Sequence, residues 1–261
     1  MSVSVDVTFP VPGVGLLTID RPEKFNAIDP QTDRAMADAL CALDANTQVR
    51  CIVITGAGGK AFCAGADIEE LLPFLKRNIL AGQDSPQFCG VTHWPSTHKP
   101  LLAAVNGVAL GGGLELALSC DLRIASSNAS FGLPEITVGV LAGGGGCTRL
   151  PRTVPAALAA EMILTGHPIN AERALQAGLI SEIVAPEALL DRALKLAAII
   201  ASRAPQSLRA CTELLRRPRF YELRDALVDE RRAFAKVMAT GDADEGIRAF
   251  SEKREPVYRD A

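Results

Sequence analysis

Two carboxylates and two runs of glycine stand out in this chain as groups that can do chemistry. Glu115 is the one charged residue in AAVNGVALGGGLELAL (Ala103–Leu118). Its neighbours Leu114, Leu116, Ala117 and Leu118 are apolar, so the carboxylate is set for burial and then needs a partner or a chemical task. Gly111, Gly112 and Gly113 precede it. Glycine lets bare backbone approach a ligand, and the first N–H groups of a helix lack internal partners and carry its positive end, which suits a developing anion. Glu135 follows the turn Gly132-Leu133-Pro134, and Gly143–Gly146 lead into a further helix. Alone, a glutamate such as Glu135 is most often a surface residue or a cap. A glycine turn closed by a capping glutamate, with Glu135 on the surface, would also write these letters.

The elements that must position these groups follow from the pattern. Ala103–Val105 reads as a buried strand and Leu114–Cys120 as a helix, joined by the glycine turn. Before them, Val14–Asp20 reads as a strand closed by Arg21-Pro22, then comes a loop holding Phe25, Asn26 and Ala27. Asp29 as N-cap and Pro30 at the first position open a helix whose body is Gln31–Asp44, with Met36, Leu40 and Leu43 on its core face. Cys51–Thr55 is a second buried strand. GAGGKAFCAGADIEEL follows, with no Ser or Thr after Lys60 and no G-x-G-x-x-G order, so it is neither a Walker loop nor a dinucleotide turn. It exposes backbone near Ala64–Ala66, and Asp67 caps the next helix. Pro73, Pro86 and Pro95 interrupt any long helix across Leu71–Lys99. Strands at Asp121–Ala125, Ser130–Phe131 and Ile180–Val184 are expected. From Pro155 onward the chain is mostly helical: Pro155–Thr165, Asn170–Gln176, Pro186–Arg203, Gln206–Arg216, Glu222–Ala239 and Asp242–Lys253. Near Pro205 the glycine-punctuated α/β pattern gives way to helix alone, dividing a core, 1–204, from a helical region, 205–261.

Composition removes several function classes. The 261 residues carry a net charge of −3 and are 48% hydrophobic, enough for a large core. Nothing marks a nucleic-acid or membrane-surface binder. Acids offset the arginines of Arg203–Arg232, which reads as a solvated helical face. Seven cysteines without CxxC pairing argue against a disulfide framework or a zinc site. Cys63 and Cys147 lie near glycine turns and read better as small apolar residues than as reactive thiols. The three histidines form no metal spacing, and no G-x-S-x-G elbow exists. No apolar run is long enough to span a membrane and the N-terminus carries no signal pattern, so a cytoplasmic protein is expected.

The motifs RPEKFNAI (Arg21–Ile28), AFCAGADI (Ala61–Ile68), KPLLAAVNGVALGGGLELALSCD (Lys99–Asp121), FGLPEITVGVLAGGGG (Phe131–Gly146), LTGHPINAERALQAGLI (Leu164–Ile180) and FSEKREPVY (Phe250–Tyr258) occur in order over nearly the whole chain. Together they resemble the crotonase, or enoyl-CoA hydratase/isomerase, superfamily. The resemblance implies an α/β spiral of repeated β-β-α units with a C-terminal helical region used in trimerisation, commonly a dimer of trimers. It implies an acyl-CoA substrate, with no metal and no further cofactor. Position by position, it implies an oxyanion hole from the N–H groups of Ala66 and Gly112, and CoA contacts from Phe25, Asn26, Ala27, Ala64, Ala66, Asp67, Ile68, Gly112 and Lys253. An exposed helix-end lysine remains an equal reading of Lys253.

Members that hydrate keep a glutamate at both positions matched by Glu115 and Glu135. Glu115 is then expected to hold and deprotonate the water, Glu135 to supply the proton at Cα, and the Gly143 N–H to help hold that water. The expected activity is hydration of a trans-2-enoyl-CoA to a 3-hydroxyacyl-CoA. Double-bond isomerisation or other enolate chemistry on the same scaffold is the alternative, and a non-catalytic acyl-CoA-binding module is the alternative of another class. The chain departs from many hydratases at Ala142, where they have proline, and at Leu114, where a small residue or cysteine is common. Phe74, Phe88 and Trp94 fall in the segment expected to shape the acyl pocket.

Overall fold

A computed structural model describes residues 4–83, 87–92, 97–216 and 223–260. Trp94, Pro86 and Pro95 lie outside the described residues. The chain opens with the hairpin β1 (Val5–Val11) and β2 (Val14–Ile19), then α1 (Pro30–Ala45). Three turns of one theme follow. β3 (Cys51–Gly56), β4 (Ala61–Cys63) and α2 (Leu71–Leu80) make the first, and β5 (Leu101–Val105), β6 (Val108–Leu110) and α3 (Gly112–Ser119) the second. β7 (Leu122–Ser126), β8 (Ser130–Gly132) and α4 (Gly146–Thr153) make the third. The chain continues through α5 (Ala156–Thr165), β9 (Ile169–Asn170), α6 (Ala171–Gln176), β10 (Glu182–Val184) and α7 (Leu189–Ala201) to α8 (Pro205–Arg216), α9 (Leu223–Met238) and α10 (Gly241–Glu252).

In each turn the first strand joins one sheet and the second joins another. The larger sheet runs β1-β2-β3-β5-β7-β10 and is parallel from β2 onward; the smaller runs β4-β6-β8-β9. This is the spiral of β-β-α units. Parallel strands with both faces covered need apolar residues at every position, which is why β3 and β5 are buried throughout and show no alternation. One face packs with Val14, Val53, Leu102 and Ile124 against Ala193 and Ala197 of α7. The other meets Met36 and Leu40 of α1 and Leu114 and Leu116 of α3 in the main core.

α1 forms as its pattern predicts: Asp29 Oδ1 accepts the Thr32 N–H at 2.7 Å, and Met36, Leu40 and Leu43 are buried. At its other end the Lys99 ammonium donates to Leu43 O at 2.6 Å and Asn46 O at 2.7 Å, a cation at the negative end of the helix. Two expectations need correction. α2 runs to Leu80 although it contains Pro73, because proline in the first turn gives up an N–H that has no helical partner. Arg216 is not part of a solvated face. Its guanidinium pairs with both oxygens of Asp121, at 2.8 and 2.7 Å, donates to Thr97 O and Lys99 O, and pins α8 beside the start of β5.

Candidate active site

Ala64–Ala66, the N-terminus of α3, the 3-10 turn Pro134–Val138 and the Gly143–Gly146 run surround one cavity of about 1080 Å³. Its walls are mainly apolar, from residues such as Ile68, Leu72, Leu75, Val138 and Leu141. Glu115, Glu135, Ala66, Gly112 and Gly143 all line it. The sequence placed these five on four separate stretches, and the fold brings them together.

Beyond β4 the amides on either side of Ala66 are already engaged. Ala64 N–H donates to Phe25 O at 3.0 Å, Gly65 N–H to the Cys63 sulfur at 3.3 Å, and Asp67 N–H to Ile28 O at 2.8 Å. Among the described residues, the Ala66 N–H meets no acceptor in this run. Gly65 has φ +96°, and a Cβ there would lie 2.8 Å from Leu110 O and 3.0 Å from Gly112 N. Glycine therefore lets this run lie against the head of α3. Gly112 begins that helix, so its N–H has no intrahelical acceptor. Two unspent donors thus border the same space.

Glu115 is buried on the first turn of α3, and its Oε1 accepts the Gly146 N–H at 2.8 Å. A Cβ on Gly144 would lie 2.6 Å from Glu115 Oε2, so any larger residue there must displace the carboxylate. Burial raises the Glu115 carboxyl above its ordinary value, while the Gly146 and Gly144 amides and the Arg149 guanidinium pull it back. Arg149 also donates to Gly144 O at 3.2 Å, holding the glycine run from below. Glu135 sits across the cavity, its Oε1 3.2 Å from where a Gly111 Cβ would be. Burial, with the Glu115 charge adding, pushes its carboxyl up to about 7, and among the described residues its Oε2 is buried without a partner.

The other site residues of the sequence fall around the rim or behind it. Ala64 and Ile68 line the cavity; Phe25, Asn26, Ala27, Asp67 and Lys253 do not. Phe25 is exposed beside Ala64, whereas Asn26 is fully buried with its amide turned inward. Asp67 caps the turn into α2 through the Glu69 and Glu70 N–H groups and pairs with Arg21 at 3.5 Å. Lys253 is exposed at the end of α10. Leu114 points into the core and Phe74 packs against it, so neither shapes the pocket. Phe88 does, its ring 2.7 Å from a Cβ built on Gly112. Asp33, which no motif marked, lines the cavity and accepts the Cys89 N–H at 2.6 Å. Arg149 was also missed, although its place just after the glycine run was a visible signal. Cys63 is buried, and desolvation pushes its thiol up to about 12, which removes it as a nucleophile.

Residues 11–261 match the family model described as enoyl-CoA hydratase/isomerase. The chain belongs to that family. It is 40% identical over 252 residues to the (E)-benzylidenesuccinyl-CoA hydratase of Thauera aromatica, covering 95% of this chain and 96% of that one. It is 40% identical over 244 residues to the 2,3-dehydroadipyl-CoA hydratase of Escherichia coli K12, covering 94% of each. The crystal structure of an enoyl-CoA hydratase from Bacillus anthracis superposes with a TM-score of 0.92 at 34% identity, over 99% of this chain and 100% of that one. The chain is thus of the crotonase type, and both of these curated relatives are named as hydratases of CoA thioesters. Among the described residues no helix is long and apolar enough to cross a membrane.

Proposed function

We propose that this enzyme adds water across the 2,3 double bond of a trans-2-enoyl-CoA, giving the 3-hydroxyacyl-CoA. The observation that carries the reading is two carboxylates of different character facing one cavity beside two unspent backbone donors. The thioester oxygen takes the Ala66 and Gly112 N–H groups. As water attacks Cβ, negative charge moves onto that oxygen, and two fixed donors in a water-poor site stabilise it by about 3 kcal/mol each. Glu115, steadied by Gly146, receives a proton from the attacking water, which the Gly143 N–H helps to hold. Glu135, with a carboxyl near 7, carries a proton and delivers it to Cα. The two protons balance: one leaves the water, one arrives at carbon, and exchange with solvent resets the pair. Nothing in these steps calls for a metal or a further cofactor.

Exposed Phe25, whose carbonyl takes the Ala64 N–H, and Ile68 at the rim are the residues we assign to the CoA portion. The apolar walls support a hydrocarbon acyl chain. Residues 205–261 are proposed to join copies into a trimer or a dimer of trimers in the cytoplasm. Exposed Leu215, Phe234, Ile247 and Phe250 support that assembly, which the mass in solution would read directly.

The reading is tested by Glu115→Gln and Glu135→Gln, assayed by loss of the conjugated thioester absorbance of crotonyl-CoA. Each should fold, bind CoA ester with KM changed less than about threefold, and lose at least about a hundredfold in kcat, the scale of a missing acid or base. Near-normal kcat in either would remove that carboxylate from the chemistry.

A further inference from the structure

Asn26 carries more contacts than a loop residue beside a ligand needs. It is fully buried in the left-handed region, φ +57°, directly after Phe25 at φ +53°. Two successive non-glycine residues there are unfavourable locally and persist only where the surroundings hold them. The Asn26 amide nitrogen donates to Ala57 O at 3.0 Å, just beyond β3, and to Ala61 O at 2.8 Å, the first residue of β4. Its oxygen accepts the Arg21 N–H at 3.0 Å. The Arg21 guanidinium donates to Ala27 O and reaches Asp29 at 3.0 Å and Asp67 at 3.5 Å. One residue pair therefore ties the loop at 25–28 to both ends of the 61–67 segment.

That loop in turn spends the amides on either side of Ala66. Phe25 O takes the Ala64 N–H, Ile28 N–H donates to Gly65 O at 2.8 Å, and Ile28 O takes the Asp67 N–H. Ala66 is held in register opposite Ile28 with its own N–H left over. We propose that Asn26, held by Arg21, is a positioning residue that aims the Ala66 N–H at the thioester oxygen, and is not a contact for CoA. This rests on the oxyanion reading above. A fully buried side chain with both amide donors spent on backbone and its oxygen bonded to Arg21 N–H lies out of a ligand's reach.

The test reads the bound thioester directly. Saturated butyryl-CoA does not react, and the infrared stretch of its thioester carbonyl falls when two donors polarise it. In the wild type the stretch should drop on binding. In Asn26→Gly, where glycine keeps the left-handed backbone without the side chain, most of that drop should vanish; kcat should fall ten- to a hundredfold, with KM within about threefold. Arg21→Met, which keeps all three Asn26 bonds but removes the guanidinium contacts to Ala27 O, Asp29 and Asp67 that hold the same loop, should lose part of the drop, and reads the aim of the loop if Asn26→Gly does not fold. An undiminished drop in a folded variant, or a KM that rises while kcat holds, overturns the positioning role while leaving the oxyanion reading intact. No drop in the wild type overturns both.

Discussion

Glu135 keeps a proton in the folded protein that it gives up in the unfolded chain, between its ordinary value of 4.5 and about 7. In that window the native state binds more protons than the unfolded state, so stability falls as pH rises through it. A neutral side chain of the same shape avoids the cost. At pH 8 Glu135→Gln should be more stable than the wild type by on the order of 1 kcal/mol, discounted from the full shift because solvent partly screens the carboxyl. That corresponds to about 2–4 °C in melting temperature, and the gain should disappear at pH 4. A variant no more stable at pH 8 would contradict burial as the cause. At this scale the sequence was informative about Glu115, whose apolar neighbours announced its burial. It was uninformative about Glu135, whose value depends on a cavity wall assembled from distant segments.

Helices with caps and a continuous apolar stripe were legible as elements, α1 above all, because Asp29, Pro30 and the Met36–Leu40–Leu43 stripe are local signals. β4 and β6 were not, since three residues are too few to show a period and their pairing is wholly non-local. α3 begins at Gly112 and not at Leu114. Helix propensity counts glycine as a breaker, but here packing decides: a Cβ on Gly113 would lie 1.9 Å from Cys63 O, a backbone atom of β4. Gly113→Ala must therefore move β4 or the helix, and should cost at least about 3 kcal/mol in urea unfolding. Gly178, at φ +74° with nothing within 4 Å, supplies the contrast. Gly178→Ala should cost about 1 kcal/mol, the left-handed strain alone. Equal losses would mean that the close approach of α3 to β4 is not what the glycine run serves.

Across the whole molecule, the spiral sends each turn's two strands to different sheets, so the loop after β4, the head of α3 and the loops after β8 converge on one cavity. No single segment contains the site. The glycine runs and the paired glutamates could be read as chemistry from residue types, and their order along the chain resembled a family. The division of labour among the loop residues could not, because Phe25, Asn26 and Ala27 are adjacent letters whose side chains go to solvent, core and loop edge. Arg216 likewise looked like one more surface cation until Asp121, far away in sequence, came beside it. Hydration differs from every other enolate reaction at this site in where the oxygen of the product originates. Crotonyl-CoA incubated with the purified enzyme in H2 18O, with the acyl-CoA mass read before and after, tests this most directly. The product should gain one water with the label in the acyl chain, formed at least about a hundredfold more slowly by Glu115→Gln. A product of unchanged mass, with the double bond moved, would contradict hydration and make the site an isomerase.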